Sequence, residues 1–326
     1  MSRIVVTGGA GFIGSYLCKE LVKQGHTVVC IDLSDGDRLK EIRRHPKFTF
    51  IRDSILNHTM LEREIKQSDL IFHLAAIADP MVYVTEPLTT LQLDLKASID
   101  IFEMAASNGI KVAFASTSEV YGRNPKVPWK EDDERVLGST RINRWSYSTA
   151  KAACEHYCYA YAQQRGLKFI IYRFFNIYGP LLDTLGNGRA IPIMLQQFLL
   201  NEPVTIHGDG KQTRSFTYID DAVIAVADLA FSEKAEGGVF NVGCGVETTI
   251  LELATMMKEV ANSSSDLIFV PHKEVFGESY EDIPRRVPDV TKIHDVIGWE
   301  ATISLKEGLA RTINYYQSKS KKGLLK

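Results

Sequence analysis

Residues Arg3–Gly14 read RIVVTGGAGFIG, and the order of events within them decides the fold. The apolar run Ile4–Val6 is short and β-branched, which favours a buried strand. Glycines follow at 8, 11 and 14. Phe12, Ile13, Tyr16, Leu17 and Leu21 then recur at helical spacing until Gly25. A strand, a glycine turn and a helix in that order suit a dinucleotide pyrophosphate. Glycine permits the tight turn and a close approach to the backbone, and the helix N-terminus supplies N–H donors and a positive dipole end.

Outward from this unit the same alternation repeats. His26–Leu33, Phe48–Asp53, Leu70–Ala76, Lys111–Thr117 and Lys168–Asn176 are apolar runs, and helix-like stretches separate them, including Leu88–Gly109 and Tyr147–Gly166. Near-continuous apolar strands alternating with helices predict an α/β fold, a Rossmann-type doubly wound parallel sheet covered on both faces. After Gly179 the pattern loosens into Pro- and Gly-bearing segments with short helices. The expectation is therefore an NAD-binding domain over 1–176 and a smaller interleaved C-terminal lobe over 177–326. A strand and helix within 216–245 should return to the first domain.

Bulk properties narrow the class. The chain has 326 residues, 45% hydrophobic and 24% charged, with net charge −2. That balance gives no electrostatic case for nucleic acid or a membrane surface. The basic tail Lys319–Lys326 reads as a frayed solvated end. Five cysteines, Cys18, Cys30, Cys154, Cys158 and Cys244, show no CxxC spacing. They suggest buried thiols, a reducing compartment and no metal site. No signal peptide and no membrane span are expected, and a cytoplasmic location follows.

Asp32 ends the second strand, where a carboxylate accepts hydrogen bonds from the adenosine ribose and repels a 2′-phosphate, favouring NAD over NADP. Asp53, ending the third, is a candidate for the adenine side or a plain strand-end turn residue. His73 reads as a packed strand-end histidine. In YSTAK, Tyr147 and Lys151 lie one helical turn apart and share a face. An unperturbed tyrosine titrates near pH 10, but a neighbouring ammonium and the cofactor's positive ring favour phenolate. Tyr147 then takes a proton from a sugar hydroxyl as hydride leaves the carbon, and Thr117 hydrogen-bonds the same hydroxyl.

The motifs TGGAGFIG, HLAA, STSEVYG, YSTAK and RFFNIYGP stand in one order along the chain. In that order they resemble the extended short-chain dehydrogenase/reductase family, the nucleotide-sugar epimerases, dehydratases and decarboxylases. The resemblance covers nearly the whole chain. It implies NAD held by Gly8, Gly11, Phe12, Ile13, Gly14, Asp32, Asp53, Ala75, Tyr147 and Lys151. It also implies a nucleoside-diphosphate sugar on the C-terminal lobe, with Asn176 and Arg214 at its diphosphate, and a homodimer through the two long helices.

Which reaction follows oxidation at carbon 4 turns on FASTSEVYG, Phe114–Gly122, where Glu119 follows Thr117 and Ser118 at a strand end. Epimerases of this family usually carry small or hydroxyl residues at the Glu119 position. Many 4,6-dehydratases carry Asp-Glu, and the GDP-mannose type carries Ser-Glu. STSEVYG is shared with the UDP-glucuronate decarboxylases. IADPMVY with Tyr83, NRWSYSTAK with Arg144, and Arg286 before Val-Pro resemble the same group. The expectation is decarboxylation of a UDP-uronic acid, UDP-glucuronate or an N-acetylated analogue, through a 4-keto intermediate. A 4-epimerase or a 4,6-dehydratase is the alternative. Thr117, Ser118, Glu119, Tyr147, Lys151 and Arg286 form the catalytic set. Tyr83, Arg144, Asn176, Arg189 and Arg214 form the substrate-binding set. Arg285 and the acids Glu131, Asp132, Asp133 and Glu134 read as solvated surface charge.

Overall fold

A computed structural model of the chain describes residues 1–183, 185–186, 188–271, 274 and 281–320. The basic tail from 321 and the start of the segment before Arg286 lie outside them. The strand predicted at the start is β1 (Arg3–Thr7), and the glycine turn delivers it into α1 (Phe12–Lys23). Next come β2 (Thr27–Asp32), β3 (Phe48–Arg52), α2 (His58–Lys66) and β4 (Leu70–His73). Short helices α3 (Pro80–Thr85) and α4 (Pro87–Leu91) lead to a π-helical turn, Gln92–Lys96, and α5 (Ala97–Asn108). The long helix expected over 88–109 thus runs through a π-turn, which apolar periodicity does not reveal. β5 (Lys111–Thr117), α6 (Arg144–Arg165) and β6 (Phe169–Phe174) complete the first half.

The second half holds β7 (Ile177–Tyr178), α7 (Ala190–Leu200), β8 (Val204–His207), β9 (Thr213–Arg214), β10 (Thr217–Tyr218) and α8 (Ile219–Phe231). It continues with β11 (Val239–Val242), β12 (Thr248–Thr249), α9 (Ile250–Ala261), β13 (Leu267–Val270) and β14 (Arg285–Arg286). Helices α10 (Thr291–Ile297) and α11 (Leu305–Ser320) follow.

The central sheet has seven strands in the order β3-β2-β1-β4-β5-β6-β11. All its pairings are parallel. The register sets Val5 beside both Val29 and Ile71. Ile4 and Val6 enter the core on one face and Val5 the core on the other, so β1 is apolar on both sides. That two-sided burial is why the strands read as continuous apolar runs. The order reverses between β1 and β4, and ligands of such sheets sit beyond the strand C-termini at that point. Strand β11 joins the main sheet beside β6, as the return within 216–245 requires. Outside it lie three small sheets, β7–β10, β8–β13 and β12–β9–β14. The last brings Arg286 beside Arg214 on neighbouring strands.

Candidate active site

A cleft of about 750 Å³ opens at the C-terminal ends of the sheet strands. Gly8, Gly11, Phe12, Ile13 and Gly14 line one part of it, and Thr117–Glu119, Tyr147 and Lys151 the middle. Gly8 has φ +70°, and a Cβ there would lie 2.6 Å from the Ala75 nitrogen. A Cβ on Gly14 would run into the Gly8 carbonyl. The turn is therefore a bare-backbone cradle at a helix N-terminus, which fits a pyrophosphate. Ala75 acts by its backbone, packed against Gly8.

The two strand-end carboxylates differ from expectation in how they are held. Asp32 accepts from the Ala10 nitrogen at 2.9 Å and the Leu33 nitrogen at 2.7 Å, so it braces the glycine turn. Asp53 accepts from the Ser54 nitrogen at 2.7 Å and from Asn57 Nδ2 at 2.8 Å. It ties down the turn before α2, the turn-residue reading of the two. His73 is wholly buried between Thr7 Oγ1 at 2.7 Å and Ser98 Oγ at 2.9 Å. Burial, aided by the charge of Lys151, drives it down to about 3, so it is a neutral packed imidazole.

Tyr147 and Lys151 sit on α6 as the spacing predicts, both nearly inaccessible. Tyr147 stacks on Tyr83, ring centres 5.2 Å apart, and shares a hydrogen bond with Thr117. Burial first, then the charges of Asp94 and Glu119, hold its phenol well above the ordinary value, against Arg189 and the Thr117 bond. The expected help from Lys151 takes a different form. Its Nζ donates to the Ala115 carbonyl at 3.0 Å and lies 4.8 Å from the Phe114 ring centre. Among the described residues no hydrogen bond joins it to the phenol.

Glu119 answers the question its position raises. The chain leaves β5 in a short 3-10 turn, Ser118–Tyr121, and Thr117 Oγ1 accepts from the Glu119 nitrogen at 3.2 Å. The turn points the carboxylate inward, where it is 6% exposed. Its Oε1 meets Arg286 Nη1 at 3.0 Å and Arg144 Nη2 at 3.4 Å. Its Oε2 is buried with no hydrogen-bond partner among the described residues. Burial pushes the carboxyl up, yet Arg144, Arg286 and Arg214 together hold it below the ordinary range. Glu119 is thus an ionised carboxylate inside an arginine cluster.

Asp282 is the second acid of that cluster. It pairs with Arg214 Nη2 at 3.1 Å. It too is held low, the arginines 214, 286 and 144 outweighing its burial. Sequence reasoning passed over it, because its partner lies on a strand far away in the chain. Arg214 also donates to the Ile283 carbonyl at 2.9 Å. Ser118 and Asn176 line the same cleft. Asn176 has φ +39° and donates to the Ser215 carbonyl at 3.2 Å. A left-handed asparagine in a cleft is backbone strain of the kind found at binding sites. Arg189 grips Asp183 at 2.9 Å and reaches the Ala78 carbonyl at 3.1 Å, bridging two walls of the cleft.

One surface reading fails. Glu131 is buried, 7% exposed, and its Oε1 accepts from the Asn241 nitrogen at 2.9 Å. The backbone bond below β11 needs an acceptor there, and an acid-rich loop sequence hides that need. Arg285 stays on the surface, paired with Glu247 at 2.7 Å.

Residues 4–243 match the model of the NAD dependent epimerase/dehydratase family. The chain is 38% identical to a UDP-N-acetyl-alpha-D-glucosaminuronate decarboxylase of Bacillus cytotoxicus, over 97% of this chain and 98% of that protein. It is 34% identical to UDP-glucuronic acid decarboxylase 1 of Arabidopsis thaliana, over 97% of this chain and 70% of that one. The fold matches the UDP-glucuronic acid 4-epimerase of Bacillus cereus, solved with UDP-glucuronic acid and NAD, with a TM-score of 0.85. That match has 28% identity and covers 97% of this chain and 99% of the other. Together with the bare-backbone cradle, these matches establish that the chain belongs to the NAD dependent epimerase/dehydratase family and that NAD is its cofactor.

Proposed function

We propose that this protein decarboxylates a UDP-uronic acid, UDP-glucuronate or its N-acetylated analogue, by way of a 4-keto sugar. The observation that carries the reading is the charge cluster at the inner end of the cleft. Arg144, Arg214 and Arg286 face Glu119 and Asp282, three positive charges against two negative. A buried site with one uncompensated positive charge favours a ligand that brings one carboxylate, because an unpaired buried charge is costly. The two decarboxylases act on such substrates by name, and they support the same reading.

When bound, NAD accepts the hydride from carbon 4, and its positive ring favours a phenolate nearby. Tyr147 takes the proton of the carbon 4 hydroxyl, with Thr117 holding that oxygen and Lys151 fixing the end of β5 and the cofactor ribose. The product is a β-keto acid. The bond between carbons 5 and 6 breaks, carbon dioxide leaves, and the electron pair delocalises onto the carbon 4 oxygen as an enolate. Arg286 and Arg144 orient the departing carboxylate, an oxyanion-type role. Ser118 and Glu119 stand over carbons 5 and 6 and manage the proton returned to carbon 5. Asn176 and Arg214 hold the diphosphate side, Arg214 as a guanidinium fork suited to phosphate oxygens. Residues 1–176 with β11 and α8 serve the cofactor, and the remainder serves the sugar nucleotide.

The fold match to a UDP-glucuronic acid 4-epimerase favours one second reading, inversion at carbon 4 with carbon 6 retained. Incubation with UDP-glucuronate or the N-acetylated uronate and NAD decides between them. Carbon dioxide with a pentose or 4-keto-pentose product is expected. A 4-epimer with carbon 6 intact would favour the second reading.

We also propose a homodimer through α5 and α6 and a cytoplasmic location. Tyr157 and Tyr159 stand exposed on α6, which suits such an interface. Among the described residues no helix is long and apolar enough to cross a membrane. Light scattering should give twice the chain mass, and a monomer mass would refute the dimer.

A further inference from the structure

A carboxylate outside the sets above lies under the hydride end of the cleft. Asp94 sits in the π-helical turn Gln92–Lys96 and is wholly buried. Single π-turns inside helices are frequent at functional sites. Its Oδ1 accepts from the Ile77 nitrogen at 2.8 Å, in the loop after β4 that runs along the cleft. Its Oδ2 has no hydrogen-bond partner among the described residues. Its carbonyl accepts from Ser98 Oγ at 2.7 Å and from Cys154 Sγ at 3.2 Å. Cys154 lies one turn beyond Lys151 on α6, so the π-turn is docked against the catalytic helix.

A buried carboxylate with half its acceptor capacity unused is costly, and a fold that needed only a cap for Ile77 has cheaper ways to supply it. The charged and titratable groups facing Asp94 are Lys151, Tyr147 and Cys154 on α6, with His73 on β4 behind Ser98. His73 is neutral and Cys154 is pushed up to about 11 by burial, so neither carries charge near neutral pH. The Lys151 ammonium is then the positive partner of Asp94, and the Tyr147 oxygen its negative rival. Burial pushes the Asp94 carboxyl up to about 6, against the pull of Lys151 and the Ile77 bond.

We propose that Asp94 is a positioning residue that sets the charge balance of the Tyr147–Lys151 pair. Its carboxylate, carried beneath α6 by the π-turn, stabilises the Lys151 ammonium and opposes a phenolate on Tyr147. Ionised Asp94 makes Tyr147 slower to take the sugar proton and readier to give it back. It thereby biases the pair toward the return of hydride and proton to carbon 4, the step that separates a reduced product from a released ketone. This inference rests on the carbon 4 chemistry of the reading above and not on the loss of carbon dioxide.

The test uses NAD-bound protein without sugar nucleotide, so its outcome is separate from that of the substrate assay. A fluorotyrosine in place of Tyr147 reports phenol ionisation by fluorine NMR across a pH series. Removing the charge with Asp94→Asn should lower the midpoint by about one pH unit. Asp94→Ser, which keeps a small polar group and fills less space, should shift it the same way. An unchanged midpoint in both variants, with NAD binding and fold retained, would overturn the proposal. So would a phenol that stays protonated throughout the series in the parent and in both variants. A merely structural Asp94 predicts lower stability and an unmoved midpoint.

Discussion

The two ends of the cleft are built in opposite ways. At the hydride end, Tyr147 and Lys151 come from one turn of α6 and Thr117 from the end of β5. Tyr83, Thr117 and the Ala115 carbonyl hold them through stacking and hydrogen bonds. At the acid end, Glu119, Arg144, Arg214, Asp282 and Arg286 come from segments far apart in the chain and are held by charge. The first end performs a step shared by every reaction the family model names. The second is where one reaction is chosen, and it is assembled only by tertiary structure.

The comparison can be broken most forcefully at its first end. Tyr147→Phe keeps the ring stacked on Tyr83 and removes the proton acceptor. Turnover should fall by about 10²–10⁴-fold with little change in thermal stability. Near-normal turnover would remove Tyr147 from the chemistry.

At the second end, Arg286→Ala should slow carbon dioxide release by about 10²–10³-fold. Glu119→Gln, which keeps the shape and loses the charge, should slow it as well. Both variants should still exchange hydride with the sugar, measured by washout of a deuterium label at carbon 4. Equal loss of both steps would mean the two ends are not separable.

Glu119 also gives the acid end a pH signature. Its folded value is held below the unfolded one, so its contribution to stability is complete above about 4.5 and fades as pH falls through the folded value. Arg286→Ala removes one of the charges responsible. The gap in Tm between parent and variant should be widest near neutral pH and narrow on acidification. A gap independent of pH would detach Arg286 from Glu119.

The smallest effect concerns Asp53. Both its oxygens are engaged in the turn before α2, so Asp53→Ala should cost about 1 kcal/mol of stability. NAD affinity, read by calorimetry, should not move. A weakened affinity would restore Asp53 to the cofactor site.

What the sequence shows plainly is what depends on short-range order. The turn RIVVTGGAGFIG, the sheet it starts and the Tyr147–Lys151 pair all follow from spacing within one strand or helix. Glu119 was visible as a carboxylate out of place. Its partners were harder to see, because the Arg214–Arg286 register arises from pairing β9 with β14. Asp282 and Asp94 were invisible for the same reason. Their chemistry lies in who faces them, and no local pattern marks a buried acid. Glu131 misled in the other direction, since an acid-rich loop looks solvated whether or not one acid caps a buried backbone nitrogen.

The central claim is that the acid end commits the substrate to losing carbon 6. It is tested most directly by one single-turnover experiment on parent and Arg286→Ala protein with a deuterium-labelled UDP-uronate. Hydride exchange at carbon 4 and carbon dioxide are followed in the same sample. Both events should occur in the parent, and in the variant exchange should persist while carbon dioxide falls by about 10²–10³-fold. A parent that exchanges hydride and inverts carbon 4 without releasing carbon dioxide would contradict the account.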